Sequence, residues 1–130
     1  MPLSGITILA VDDNEAHNYV LRKTLAKLGS NVVSAMRGSE ALTHAKKNPN
    51  LILLDVTLPD LNGFEVCRRL KADPTMRKIP VIFISAVAQD PRSKVLAEEA
   101  GAAGFLFYPI DEDKLITAIR GQTVNLRANS

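Results

Sequence analysis

The sequence predicts a doubly wound α/β domain, a five-stranded parallel sheet with helices on both faces. Three observations predict it: five short aliphatic runs, amphipathic stretches between them, and cap or turn residues at the junctions. Continuous apolar runs, as opposed to alternating ones, are what strands covered on both faces require. Strict β-α alternation five times over implies right-handed crossovers and places the loops of functional interest beyond the strand C-termini.

Strands are expected at residues 6–11 (ITILAV), 31–35 (NVVSA), 51–54 (LILL), 81–84 (VIFI) and 104–107 (GFLF). The first helix follows the cap candidate Asn14, carries Leu21, Leu25 and Leu28 at helical spacing, and stops at Gly29. A second starts near Ser39 with Ala41, Leu42 and Ala45 facing inward, and Pro49 ends it. A third runs from about Phe64 to Leu70 with Val66 and Leu70 on one face, and Asp73-Pro74 breaks it. In the fourth, Asp90 caps, Pro91 suits the first helical position, Val95, Leu96 and Ala100 supply apolar contacts, and Gly101 suits a left-handed stop. The last begins at Asp111, where the acidic "DED" complements the helix dipole, and buries Leu115 and Ile119. One domain over residues 1–122 is expected, with 123–130 as a tail, because "GQTVNLRANS" shows no strong pattern.

Bulk properties narrow the function. A chain of 130 residues can bury a core without disulfides or a structural metal. Its net charge of +2 is too small to imply a polyanion partner, so no nucleic-acid binding is expected. Cys67 is the single cysteine, which excludes an internal disulfide; it reads as a small buried or half-buried side chain. The longest apolar run near the start, Ile8 to Val11, is far too short for a signal sequence or a membrane span, and a cytoplasmic location is expected.

Acids mark the strand ends. The first strand ends in Asp12-Asp13 and the third in Asp55, so three carboxylates meet on one rim and repel in a partly desolvated cleft. A hard divalent ion offsets them economically, since Mg²⁺ takes octahedral oxygen ligands, uses one or two carboxylates and keeps exchangeable waters. The fourth strand adds Ser85, a hydroxyl donor, to the same rim. Each acid alone is explained by a cap or a solvated turn; the joint placement is not.

The stretches "ILAVDDNEAHNYVLRKTLAKLG", "LILLDVTLPDLNGFEVCRRLK", "IPVIFISA" and "GAAGFLFYP" resemble the receiver domain of bacterial two-component response regulators over roughly residues 6–120. The resemblance implies a flavodoxin-like sheet of order 2-1-3-4-5 and Mg²⁺-dependent phosphoryl transfer from a phosphohistidine on a sensor histidine kinase or histidine phosphotransfer protein. Asp55 matches the phosphoacceptor, Asp13 the direct metal ligand, Asp12 its outer-shell acidic neighbour, and Thr57 the position lending a backbone carbonyl to the metal. Ser85 matches the hydroxyl that turns toward the phosphoryl group, and Phe105 the switch aromatic that follows it. Pro109 matches a proline that is cis in the family. The expected output face, where a downstream protein target would dock, spans Asp90 to Ala100 and Gly104 to Arg120; a homodimer would form there or through the first helix. The implied role is a switch in a phosphorelay and not an enzyme.

One position departs from the family pattern. The residue before the strand-five proline is a lysine in receivers and is Tyr108 here. A phenol can donate one hydrogen bond but supplies no charge. The resting pocket is therefore expected to depend more on Mg²⁺, and the phosphorylated state to gain less. Lys114, Lys46, Lys47, Lys71 and Lys78 all belong to segments expected elsewhere.

Several other readings compete. His17 and His44 read as surface or rim polar groups, and "CRRLKADPTMRK" as a solvated helix end. Haloacid-dehalogenase-like phosphatases also phosphorylate a strand-end aspartate, but they place it on the first strand with a second aspartate two positions on; here Thr57 stands there. The alternative is a degenerate receiver, a constitutive interaction module without functional phosphorylation. Nothing after Gly121 resembles an output module, which leaves a free-standing regulator, a relay shuttle and a domain of a hybrid kinase open.

Overall fold

The computed structural model describes residues 1–86 and 91–128. Its elements alternate strictly: β1 (Thr7–Val11), α1 (Glu15–Lys27), β2 (Asn31–Ala35), α2 (Gly38–Ala45), β3 (Leu51–Asp55), α3 (Gly63–Ala72), β4 (Val81–Ser85), α4 (Pro91–Glu99), β5 (Gly104–Phe107) and α5 (Glu112–Ala128). All neighbouring strands are parallel, in the order β2-β1-β3-β4-β5. This is the flavodoxin-like topology expected above.

The apolar runs serve two cores because successive strand side chains alternate between faces. Leu9, Val11, Ile52, Leu54, Val81 and Phe83 pack with Ala41, Ala45, Val66, Leu70 and Ala97 from α2, α3 and α4. Ile8, Ala10, Leu51, Leu53, Ile82 and Ile84 pack with Leu21, Leu25, Leu115 and Ile119 from α1 and α5. Each fully buried aliphatic side chain contributes about 1.5–3 kcal/mol, so the sheet's two sides form the rigid frame on which the rim loops stand.

Local signals set most boundaries. Asn14 caps α1 by accepting the His17 amide at 3.0 Å, and Asp111 caps α5 by accepting the Lys114 amide at 3.1 Å. Gly29 and Gly101 follow α1 and α4 at φ 99° and 95°, the left-handed conformation that ends a helix without a Cβ clash. Cys67 is fully buried, with Sγ 3.3 Å from the Ala100 carbonyl, and Tyr108-Pro109 is cis. Arg68 and Arg69 pair along α3 with Glu65, as a solvated helix end does, while Lys71 instead lies half-buried and donates to the carbonyls of Arg77 and Ile79.

Two expectations are corrected. Val95 and Leu96, expected to face inward, are 52% and 41% exposed; the expected Ala100 does turn inward, together with Ala97 three residues before it. The helical phase is set by close contact of small side chains, which hydrophobicity alone does not reveal. The segment from Gly121, expected to lack structure, continues α5 to Ala128. Leu115, Ile119 and Thr123 recur every fourth residue on the buried face, and the Thr123 hydroxyl donates back to the Ile119 carbonyl at 3.0 Å. The expected cap Asp90 lies outside the described residues.

Candidate functional site

Strand register brings the acids together. Val11 pairs with Leu54, so the next residues on each strand, Asp12 and Asp55, reach the rim side by side. Asp55 in turn pairs with Ile84, one residue before Ser85, and Ser85 pairs with Phe107, one residue before Tyr108. The Tyr108 amide donates to the Ser85 carbonyl at 2.9 Å, which ties the end of β5 to the end of β4.

Carboxylate oxygens of Asp12, Asp13 and Asp55 all lie within 4.8 Å of one another. Asp12 is fully buried, Asp55 half-buried and Asp13 exposed, so the cluster is open to solvent on one side. Burial, then the neighbouring Asp12 and Asp13 charges, push the Asp55 carboxyl up to about 7, against the opposing pull of the Thr57 amide. That amide donates to Asp55 Oδ1 at 3.1 Å. Among the described residues no lysine or arginine pairs with the three acids; the basic side chain near them is His17, its Nδ1 3.8 Å from Asp12 Oδ2. A hard-oxygen donor set with unbalanced negative charge fits a divalent cation such as Mg²⁺.

Tyr108 is the cluster's neutral neighbour. Its hydroxyl donates to Asp12 Oδ2 at 2.6 Å, and the Asn14 amide donates to Asp12 Oδ1 at 2.9 Å, so both oxygens of this buried acid are held. Burial and the Asp12 acceptor push the phenol well above its ordinary pKa, and it stays protonated. The His17 ring stacks on it, with centroids 4.2 Å apart and planes 17° from parallel. Phe105 lies farther out, half-buried against Phe83 and Phe107 with centroids 6.1 and 5.0 Å away, beside a cavity of about 150 Å³ also lined by Lys94, Ala97 and Glu98.

Sequence reading placed His17 on the surface or rim and did not connect it to Tyr108. It also passed over Asp60 and Asn18. Asp60 accepts the backbone amides of Gly38 and Ser39 at 2.7 and 3.0 Å, which caps α2 from the β3–α3 loop, since Arg37 makes no side-chain cap. These amides, Ser39 first, hold its carboxyl well below the usual carboxylate range. The one available signal was the uncapped start of α2. Asp60→Ala is expected to cost about 1 kcal/mol, the usual value of an N-cap, with Asp60→Asn losing less; a urea titration of both variants checks it. Asn18 is buried and donates from Nδ2 to the carbonyls of Asp12 and Ala35 at 3.0 and 3.3 Å, fixing the ends of β1 and β2.

A five-stranded parallel sheet of this order with an acidic rim at its carboxyl ends defines a flavodoxin-like class of fold, and the comparisons with known proteins agree. The family model of the response regulator receiver domain matches residues 8–120, and the chain belongs to that family. It is 44% identical over 118 residues to the response regulator PleD of Caulobacter vibrioides, covering 89% of this chain but 26% of PleD. The chain thus spans about a quarter of PleD's length. It is 35% identical to protein PilH of Pseudomonas aeruginosa over 86% of this chain and 93% of PilH. Among solved structures, the receiver domain of the Pseudomonas aeruginosa sensor histidine kinase PA1611, with magnesium coordinated in its active-site cleft, superposes with a TM-score of 0.83 at 28% identity, covering 92% and 98% of the two chains. The role as a two-component receiver follows. Among the described residues, no helix is long and apolar enough to cross a membrane.

Proposed function

We propose that this receiver accepts a phosphoryl group from a phosphohistidine onto Asp55 and uses the modified state to switch protein-protein contacts. The observation that carries this reading is the convergence of three acid oxygens within 4.8 Å around a half-buried Asp55, with no lysine or arginine paired to them among the described residues. Asp12, Asp13 and Asp55, with the Thr57 carbonyl, would hold Mg²⁺, which supplies charge neutralisation where an anion must approach a carboxylate. An Asp55 oxygen attacks phosphorus, the P–N bond breaks, and the imidazole leaves with the electron pair and takes up a proton. Ser85, one residue past the Ile84 that pairs with Asp55, would turn to donate to the new group, and Phe105, beside its cavity, is the element whose packing would follow.

The partners are a histidine kinase or phosphotransfer protein upstream and a protein target downstream, in a cytoplasmic relay, with α5 as part of the receiver unit. Incubation with Mg²⁺ and acetyl phosphate is expected to yield an acid-stable, base-labile adduct of phosphate mass on the wild type and none on Asp55→Asn, read by intact-mass spectrometry. An unmodified wild type would favour the second reading, a receiver that binds its partner constitutively. The observation on that side is Tyr108, which spends its single donor on Asp12 where the family has a lysine.

A further inference from the structure

Tyr108 does not hold Asp12 alone. The phenol hydroxyl lies 2.6 Å from Asp12 Oδ2, and the ring that carries it is covered by the His17 imidazole at 4.2 Å, nearly parallel. His17 itself is pinned, because its backbone amide donates to the Asn14 cap in the first turn of α1. Asn14 also donates its own amide to the other Asp12 oxygen. The start of α1 therefore reaches Asp12 directly, through the Asn14 amide and the His17 Nδ1 3.8 Å from Oδ2, and again through the stacked pair. The last of these contacts reaches across the sheet to a residue 96 positions away.

We infer that His17 is a positioning residue of the acidic site, which acts by stacking on Tyr108 to keep its hydroxyl on Asp12, so that the two rings work as one unit in place of a lysine. This rests on the reading of Asp12 as part of the magnesium site. Rotation of the tyrosine side chain about its Cα–Cβ bond sweeps the hydroxyl through an arc, and a short hydrogen bond survives only where the ring is confined. The β5 backbone confines one end of Tyr108, through its amide on Ser85. Aromatic stacking confines the face, and outer partners of metal-ligating carboxylates typically govern affinity by 10–100-fold.

The test is a double-mutant cycle read by calorimetric titration of MgCl₂, with ¹³C-tyrosine NMR of the metal-free wild type and His17 variants as a second readout. His17→Ala and Tyr108→Phe are each expected to weaken Mg²⁺ binding about tenfold, and the double variant about tenfold as well; independent losses would multiply to about a hundredfold. His17→Phe, which keeps a stacking ring, is expected to stay within about threefold of wild type. Without metal, the Tyr108 ring signals should move in His17→Ala, return in His17→Phe, and leave the exposed Tyr19 signals in place.

The inference is overturned if His17→Ala binds Mg²⁺ as the wild type does, if His17→Phe fails to restore affinity, or if the single losses multiply. Should the wild type bind no Mg²⁺, the reading of the site fails separately, and the metal-free ring signals alone decide whether His17 holds Tyr108. Unmoved Tyr108 signals in His17→Ala then refute it.

Discussion

Gly63→Ala is expected to destabilise the protein by about 1–3 kcal/mol, at the upper end or beyond, and to disturb Asp55 although residue 63 carries no functional group. A methyl group there would overlap the Asp55 carbonyl oxygen and lie 3.0 Å from the Val56 Cα. Both obstacles are backbone, which cannot rotate aside as a side chain would. The Gly63 amide also donates to the Val56 carbonyl at 2.7 Å, so the start of α3 is docked directly on the end of β3. Relief requires the helix or the strand end to move, and the strand end carries the candidate phosphoacceptor. Chemical denaturation should report the stability loss, and acetyl phosphate labelling of the folded variant a slowed reaction. A variant with wild-type stability and labelling would show that this contact does not position Asp55.

In metal-free buffer, stability is expected to fall as pH rises from about 4 to 7, opposite to the common behaviour of carboxylates. The Asp55 carboxyl is raised from 3.8 to about 7, by burial first and then by its acidic neighbours, so the fold favours the protonated form. Its stabilising contribution is complete below the unfolded value near 4 and is lost as pH climbs through 7. Solvent reaches this half-buried group and reduces the effect to about 1–2 kcal/mol. Asp55→Asn is uncharged throughout and should remove that slope. Millimolar Mg²⁺ should flatten it in the wild type by stabilising the ionised cluster. Thermal melts between pH 4 and 8, with EDTA and then with MgCl₂, provide the comparison. Parallel wild-type and Asp55→Asn profiles in EDTA would mean that the acids do not repel as the geometry implies. Asp60, held low by backbone amides, acts with the opposite sign, and its contribution is lost only as pH falls through the acid range.

Much of this architecture is legible in the order of the residues. The five strands follow from aliphatic runs, and the ends of α1, α4 and α5 from Asn14, Gly29, Gly101 and Asp111, because caps and left-handed stops act within a few residues of where they stand. The convergence of Asp12, Asp13 and Asp55 is legible as well, since a parallel sheet places every strand's carboxyl end on one rim. The sequence alone determined those features.

Tertiary structure decided the rest. Val95 and Leu96 turned outward because close approach of Ala97 and Ala100 set the helix phase, and α5 ran past Gly121 because Thr123 found a buried place. Asp60 capped a helix 21 residues earlier in the chain, and the Tyr108 phenol met Asp12 under the His17 ring. These contacts depend on strand register and on which rings share a face. Neither is encoded in local periodicity, so they emerge only when distant segments are packed together.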